Sequence, residues 1–310
     1  MRTKAERWHA AYELANILSD DIQGLEKIRR WHLLVFLIIT PAMWLAVFPL
    51  FIFGNAGILA ATATALVMTA GLYNLFDRDY RRKVKIKFTQ NMAEALNVRY
   101  EPAAAFRAGS ITDHRIFPLY NKEETEDVFI LKVADRKVEM QEVRLYGDNS
   151  ENQSFLSYLK PVDRGLLIRI AARTKQPFHT IAFTRGFGGI AGHKAKYLRM
   201  SGYERVPFGN TLFSRYYHAV SEDAASAHEI FNPAFIEQLA VFRKKIHARS
   251  LIISIRDREV VFYARSGRNM FEPTHLILPM TPYSIHKVLE EMHALADMIE
   301  VLKINPYVGL

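Results

Sequence analysis

Cysteine is absent from the 310 residues. That absence excludes disulfide staples, cysteine-ligated zinc, iron–sulfur clusters and thiol catalysis. Charge is also missing from one long block. Between Leu33 and Phe76 there is no Asp, Glu, Lys or Arg, a run of 44 residues. The mean hydropathy of −0.04 looks like that of a soluble protein only because the block is averaged with a polar remainder. The chain is 50% hydrophobic and 24% charged, so it is neither disordered nor low in complexity.

A membrane-crossing helix needs about 20 apolar residues, so the uncharged block holds two spans and not three. Gly54-Asn55-Ala56-Gly57 lies at its centre and is the expected turn. The spans are read as about 33–53 and 58–76. The first is bulky and carries Pro41 and Pro49, which are expected to kink it. The second is rich in Ala and Thr, with Ala60, Ala61, Ala63, Ala65, Ala70 and Gly71. Small residues let helices approach closely in lipid, so it is expected to pack on the first span or on another copy. A signal peptide has a shorter apolar core, and a soluble helical hairpin has a polar face.

Flanking charge sets the expected orientation. Lys27, Arg29 and Arg30 precede the first span, and Arg78, Arg81, Arg82, Lys83, Lys85 and Lys87 follow the second. The turn is uncharged. The positive-inside rule then places both termini in the cytoplasm and the turn outside. Net charge is +9, and much of it lies in these flanks, where anionic headgroups are the natural partner. At helical spacing the six later charges surround their helix, which suits a ring at headgroup level. No nucleic-acid motif accompanies them, and no nucleic-acid partner is expected.

Outside the block, Trp8, Ala11, Ala15, Leu18, Ile22 and Leu25 form one helical stripe, and Val84, Phe88, Met92 and Leu96 another. These helices are expected to pack on each other, with self-association as the alternative. From Asn97 the pattern turns to β. Strands are expected over 128–133 and 138–146, with Asp135-Arg136 near their bend, and over 165–172 and 179–184, joined through Lys175-Gln176-Pro177. Strands over 250–255 and 260–265 are expected to flank a tight hairpin at Asp257-Arg258. Asn232 with Pro233 opens a helix burying Phe235, Ile236, Leu239 and Phe242. Ser284 opens a last helix with Val288, Leu289, Met292, Leu295, Ile299 and Leu302 as its apolar stripe. The expected organisation is a cytoplasmic amphipathic helix (1–32), a transmembrane hairpin (33–76), a basic juxtamembrane helix (77–97) and a cytoplasmic domain (98–310). The fold class is thus an α+β cytoplasmic domain anchored by a two-helix transmembrane hairpin.

Several stretches, in order, resemble a known family. Leu25-Glu26-Lys27-Ile28-Arg29-Arg30 precedes the hairpin, and residues 83–102, ending in Val98-Arg99-Tyr100-Glu101-Pro102, follow it. Then come Glu126-Asp127-Val128-Phe129, Arg164-Gly165-Leu166-Leu167 and Pro177-Phe178-His179-Thr180. Tyr216-Tyr217-His218-Ala219-Val220, Ser221-Glu222-Asp223 and Asn232-Pro233-Ala234-Phe235 make an aromatic strand, a Ser-x-Asp turn and a helix start. Phe271-Glu272-Pro273 and Met298-Ile299-Glu300-Val301-Leu302 close the series. The chain is similar, over nearly its whole length, to the bacterial membrane-anchored domain-of-unknown-function family 3137. It departs at Thr125-Glu126-Asp127, where the family tends to have a Gly before the acidic Asp. The resemblance implies architecture, leaves function open and brings no catalytic residues; the expected location is the bacterial inner membrane, with both termini cytoplasmic.

Four groups of residues are candidates for chemistry. The stretch Gly186-Phe187-Gly188-Gly189-Ile190-Ala191-Gly192-His193-Lys194 follows a strand, but its spacing fits neither phosphate-binding pattern, and a loop is the plainer reading. His286, Glu290, His293 and Asp297 share one face of the last helix and come nearest to a zinc or manganese set. That face is also opposite the apolar stripe, where polar residues belong anyway. Asp223 with His218 and His228 lacks a nucleophile beyond Ser221 and an oxyanion donor, and Ser221 and Asp223 more simply shape a turn. Thr62, Thr64, Thr69 and Asn74 make the second span polar without an ionisable group, which is poor material for a carrier. No catalytic residue, cofactor or metal is expected. The expectation is a multi-pass membrane protein carrying a cytoplasmic interaction or regulatory module, with a protein partner or self-association. The alternatives are a membrane-bound enzyme acting on a lipid or nucleotide, and a self-assembling scaffold.

Overall fold

The computed structural model describes residues 13, 16, 19–53, 57–95, 98–102, 108–117, 120–133, 136–146, 163–185, 202–208, 212–231, 233–267, 270–271, 275–281, 286, 288–291, 293–294 and 297. The chain divides into two units, one of residues 97–270 with 290–310, the other of residues 2–96 with 271–289. The residues expected to form the hairpin turn at 54–56, the glycine-rich loop at 186–194, Asn232 and most of the first amphipathic stripe lie outside the described residues.

The helical unit is built on α1 (Ser19–Phe53) and α2 (Gly57–Ala95). At 1.5 Å per residue they run about 50 Å and about 60 Å, well beyond the roughly 30 Å of a bilayer's hydrocarbon. The flanking helical stripes, expected to extend the hairpin, run on from the apolar stretches within the same helices. Both windows of high apolarity are long enough to cross a membrane. The two helices are antiparallel: Phe36 meets Tyr73 and Phe76 ring on ring, and Trp44 Nε1 donates to Thr69 Oγ1 at 2.8 Å. Ala61 and Ala65 are fully buried at the seam, as small residues on a helix–helix contact should be. The outer faces are apolar and bare. Leu34, Leu37, Ile38, Leu45, Ile58, Leu59, Leu66, Val67 and Leu75 are all exposed. Past the apolar stretch the pattern inverts to an ordinary amphipathic one: Val84, Phe88 and Met92 are buried as their spacing predicts, together with Leu25 and Tyr80.

The other unit is an antiparallel sheet with short helices. In chain order it has β1 (Arg99–Glu101), a 3-10 segment (Ala108–His114), β2 (Lys122–Val133), β3 (Arg136–Tyr146), β4 (Asp163–Thr184), β5 (Glu204–Arg205), α3 (Leu212–Tyr216), β6 (Tyr217–Ser221), α4 (Ala224–Ile230), α5 (Pro233–Lys245) and β7 (Ser250–Arg265). The strands run β1-β2-β3-β4-β6-β5, and β7 pairs with β4. The expected β2–β3 hairpin is present, and α5 begins at Pro233 with Phe235, Ile236, Leu239 and Phe242 buried.

Two expectations are corrected. Residues 165–172 and 179–184 are not two strands but the halves of one long bent strand, β4. Asp257-Arg258 is not a hairpin turn. Residues 250–255 and 260–265 belong to one 16-residue strand, β7, and both halves pair with β4 rather than with each other. The physical reason is that the two breakers face one another. Ala171 pairs Glu259 and Thr180 pairs Ile255, so β4 spends nine steps where β7 spends four. Asp257 sits there in the left-handed region, φ 49°, and the paired ribbon bends without reversing. The N-terminal half of β4 pairs with β3 and β7, and its C-terminal half with β6 and β7. Leu145, Leu167, Ile181, Phe183, Val220, Ile252, Val261 and Tyr263 form the core against this ribbon.

Candidate functional site

The bend gathers a buried polar chain. Ile111, Ile116 and Phe117 are packed into the core cluster, which pins the 3-10 segment and turns His114 toward β7. His114 Nδ1 lies 2.8 Å from Ser254 Oγ, and its Nε2 3.2 Å from Glu259 Oε2. Ser254 Oγ lies 2.7 Å from His179 Nε2 on its other side, and His179 Nδ1 lies 2.6 Å from Tyr203 OH. The chain ends on Glu222, which accepts the Tyr203 proton and, at 2.8 Å, the backbone N–H of His179.

Burial holds His179 low, at about 3, and electrostatic repulsion from His114, Arg256 and Arg115 adds to the effect against Asp257. Burial likewise pushes the Tyr203 hydroxyl up to about 12, with Glu222 taking its hydrogen bond. A neutral imidazole carries one N–H, so each link through His179 has a direction. With Tyr203 donating to Glu222, His179 gives its Nδ1–H to Tyr203 and accepts from Ser254, which in turn accepts from His114. The arrangement resembles a serine–histidine–carboxylate set in composition only. Ser254 is fully buried and reaches no substrate, so the chain can hold or pass a proton but cannot deliver a nucleophile. A cavity of about 440 Å³ opens beside it, lined by Asp113, His114, Lys175, Arg256, Asp257 and Glu259 among others. Its charges are met locally: Lys175 and Arg256 face Asp257 at 3.4 and 3.6 Å, and Arg256 donates to the Asp113 carbonyl at 2.9 Å.

Pro177-Phe178-His179-Thr180 and Ser221-Glu222-Asp223 are separate stretches of the sequence. The structure brings them together across the β4–β6 pairing, where Thr180 pairs Ser221 and their hydroxyls lie 2.7 Å apart. Ser221 Oγ also accepts the Asp223 amide at 3.1 Å, the turn its spacing suggested. Of the histidines read beside Asp223, His218 accepts a hydrogen bond from Arg185, and His228 stacks on Phe208.

Among the described residues, the group with three ligand atoms within 4.8 Å of one another is Glu126, Asp127 and Glu142. A β-bulge between Glu126 and Phe129, with Asp127 at φ 52°, puts two carboxylates where one would stand. Their charge is already answered. Arg144 bonds Glu126 at 2.9 Å, Arg164 stands 3.8 Å from Glu142, Tyr100 donates to Asp127, and the Met270 amide donates to Glu142. The set reads as an ionic seam that fixes the bulge. The face suggested by sequence, His286, Glu290, His293 and Asp297, is helical at all four positions. Glu290 is exposed and the other three are half-buried, while Val288, Leu289 and Ala294 are buried. Asp297 accepts from Lys245 Nζ at 3.4 Å.

The membrane-flank charges divide. Lys27, Arg30, Arg78, Arg82, Lys83 and Lys87 are exposed. Arg29 and Lys85 are buried, so Lys85 does not join a ring around α2. Arg29 grips Glu26 through two hydrogen bonds of 2.8 and 2.6 Å, and Arg81 pairs with Asp77. Within the same unit, these groups hold residues 275–281 by their backbone. Arg29 donates to the Leu276 carbonyl, Asp77 accepts the Leu276 amide and Glu26 accepts the Met280 amide. The Arg29 hydrogen bonds hold the Glu26 carboxyl down at about 2. In the sequence the bases stand only as topological markers; the partner segment lies 199 residues from Asp77, 247 from Arg29 and 254 from Glu26.

The class defined so far is an antiparallel-sheet domain on a chain with two long apolar helices. Residues 164–304 match the model of the family described as Protein of unknown function (DUF3137), and the resemblance read from the motifs is shown over that stretch. No curated protein matches the chain. Among solved structures, the crystal structure of the mycobacterial trehalose monomycolate transport factor A is similar at a TM-score of 0.39 and 8% identity, over 72% of this chain and 96% of that one.

Proposed function

We propose that this protein is a multi-pass membrane protein of the bacterial inner membrane that carries an interaction or regulatory module on the cytoplasmic side. One observation carries the reading. Two helices of 35 and 39 residues pack on each other through Ala61, Ala65 and the Phe36, Tyr73 and Phe76 rings and turn Leu, Ile and Val outward along their apolar length. In water such a surface is an aggregation hazard; in lipid it is the ordinary outer face of a hairpin. The flanking exposed bases Lys27, Arg30, Arg78, Arg82 and Lys87 support headgroup contact and the orientation with both termini inside. The module reading is supported by two polar groups of the sheet unit that are spent internally: the buried chain through Ser254 ends on its own carboxylates, and the acidic cluster is balanced by arginines. The test is extraction of membranes from cells expressing the full chain. Integral anchoring predicts that the protein stays with the pellet in alkaline carbonate and in urea and leaves it only with detergent. Release by carbonate refutes the anchor. Crosslinking in the same membranes reports on self-association: a ladder of homo-oligomers favours the scaffold over a module that works with a different partner.

A further inference from the structure

A second cavity, of about 510 Å³, lies in the sheet unit away from the bend, beside β5, β6 and the end of β4. Its charge is one-sided. Arg185 and Arg205 line it, and among the described residues lining it there is no Asp or Glu. This separates it from the cavity beside His114, where Asp113, Asp257 and Glu259 stand among the bases and Lys175 and Arg256 meet Asp257. Both arginines stand on fixed backbone. Arg205 pairs with Val220, the next residue, Val206, donates to the Ala219 carbonyl at 3.0 Å, and the Arg185 amide donates to the Tyr216 carbonyl at 2.6 Å. Arg185 is also aimed. Its Nε donates to Nε2 of His218 at 3.1 Å, and His218 is itself buried. A ring nitrogen that accepts carries no proton, so His218 meets the guanidinium as a neutral tether and spends only one of its five N–H groups. The rest of the lining includes the buried side chains of Val206, Phe208 and Ala219.

We propose that this cavity binds a small organic anion, with a phosphate or carboxylate head between Arg185 and Arg205 and an apolar body against Val206, Phe208 and Ala219. Guanidinium groups recognise such heads by paired, charge-assisted hydrogen bonds, and the apolar lining distinguishes a substituted anion from a bare one. The same head chemistry occurs on a free metabolite and on a phospholipid, and the test separates the two.

The full chain is purified in a non-ionic detergent and titrated with phenyl phosphate by calorimetry. Wild type shows saturable binding, with inorganic phosphate weaker by about tenfold or more for want of an apolar body. Arg185→Gln and Arg205→Gln each weaken phenyl phosphate by about tenfold or more, as loss of a charge-assisted pair requires, while Arg258→Gln at the other cavity changes nothing. Far-UV circular dichroism of each variant must match wild type. As a second readout, phenyl phosphate raises the melting temperature of wild type and not of the double variant. A parallel arm adds phosphatidylglycerol in mixed micelles. Displacement of phenyl phosphate assigns the site to lipid headgroups; persistence of binding assigns it to a free anion. The proposal is overturned if wild type shows no saturation up to about 10 mM, if folded arginine variants bind as wild type does, or if inorganic phosphate binds as tightly as phenyl phosphate.

Discussion

His179 offers a quantitative test of the buried polar chain. Its ring sits between Ser254 and Tyr203, 1% exposed, and burial holds it at about 3 against an ordinary value of 6.5. A group depressed in this way binds fewer protons folded than unfolded. Its contribution is fully present above about 6.5 and is lost as pH falls toward 3. Each unit is worth about 1.4 kcal/mol, so between pH 6.5 and 5 the sheet unit loses roughly 2 kcal/mol through this residue. For a unit of this size that is a fall of roughly 4–8 °C in melting temperature. The comparison is with His179→Gln, which cannot titrate. The full chain in non-ionic detergent is melted at pH 7 and pH 5, and wild type loses more than the variant by that amount, other titrating groups being common to both. The ring nitrogens, followed by NMR in labelled protein, stay neutral from pH 7 to about 4. Equal pH dependence of the two proteins, or a His179 resonance titrating near its ordinary value, refutes the reasoning.

Three further outcomes follow from named contacts. Glu26→Gln removes the charge that Arg29 grips and weakens the acceptor of the Met280 amide. Breaking so enclosed a pair costs about 2–4 kcal/mol and accelerates hydrogen exchange at the Leu276 and Met280 amides; unchanged exchange there contradicts the clamp. In wild type the same exchange speeds up as pH falls from 4.5 toward 2, since the depressed Glu26 stabilises only above its own titration; after correction for intrinsic exchange, a flat profile over that range is the contrary result. Gly165→Ala drives a methyl into the Ala264 carbonyl and the Tyr263 ring across the β4–β7 pairing, costing about 2–4 kcal/mol. Melting within a degree or so of wild type would mean that the ribbon is not packed as described.

Local signals made part of this fold legible. The uncharged block marked the two apolar helices, Pro233 marked the start of α5, and alternation marked β2 and β3. What failed was reading breakers one at a time. Lys175-Gln176-Pro177 and Asp257-Arg258 each look like a turn between short strands, and only their position opposite one another makes them a bend in a long pair. That pairing joins residues some 80 apart, and periodicity within a window of a dozen residues contains no trace of it. The buried chain was hidden for the same reason. His114, His179, Tyr203, Glu222 and Ser254 come from five places, none in a spaced motif. A lone His in a strand is more often core than chemistry, and only the fold puts two of them on one serine. The clamp on Leu276 is made largely with backbone, which no side-chain pattern advertises.

The central claim is a two-span hairpin with the sheet domain inside. The natural absence of cysteine makes it directly measurable. Single substitutions Asn55→Cys and Arg258→Cys are made in the full chain and intact cells, their outer envelope permeabilised, are treated with a membrane-impermeant maleimide. The account predicts labelling at position 55 without lysis, and at position 258 only after the inner membrane is opened. Labelling of position 258 in intact cells, or of both positions only after lysis, would contradict it.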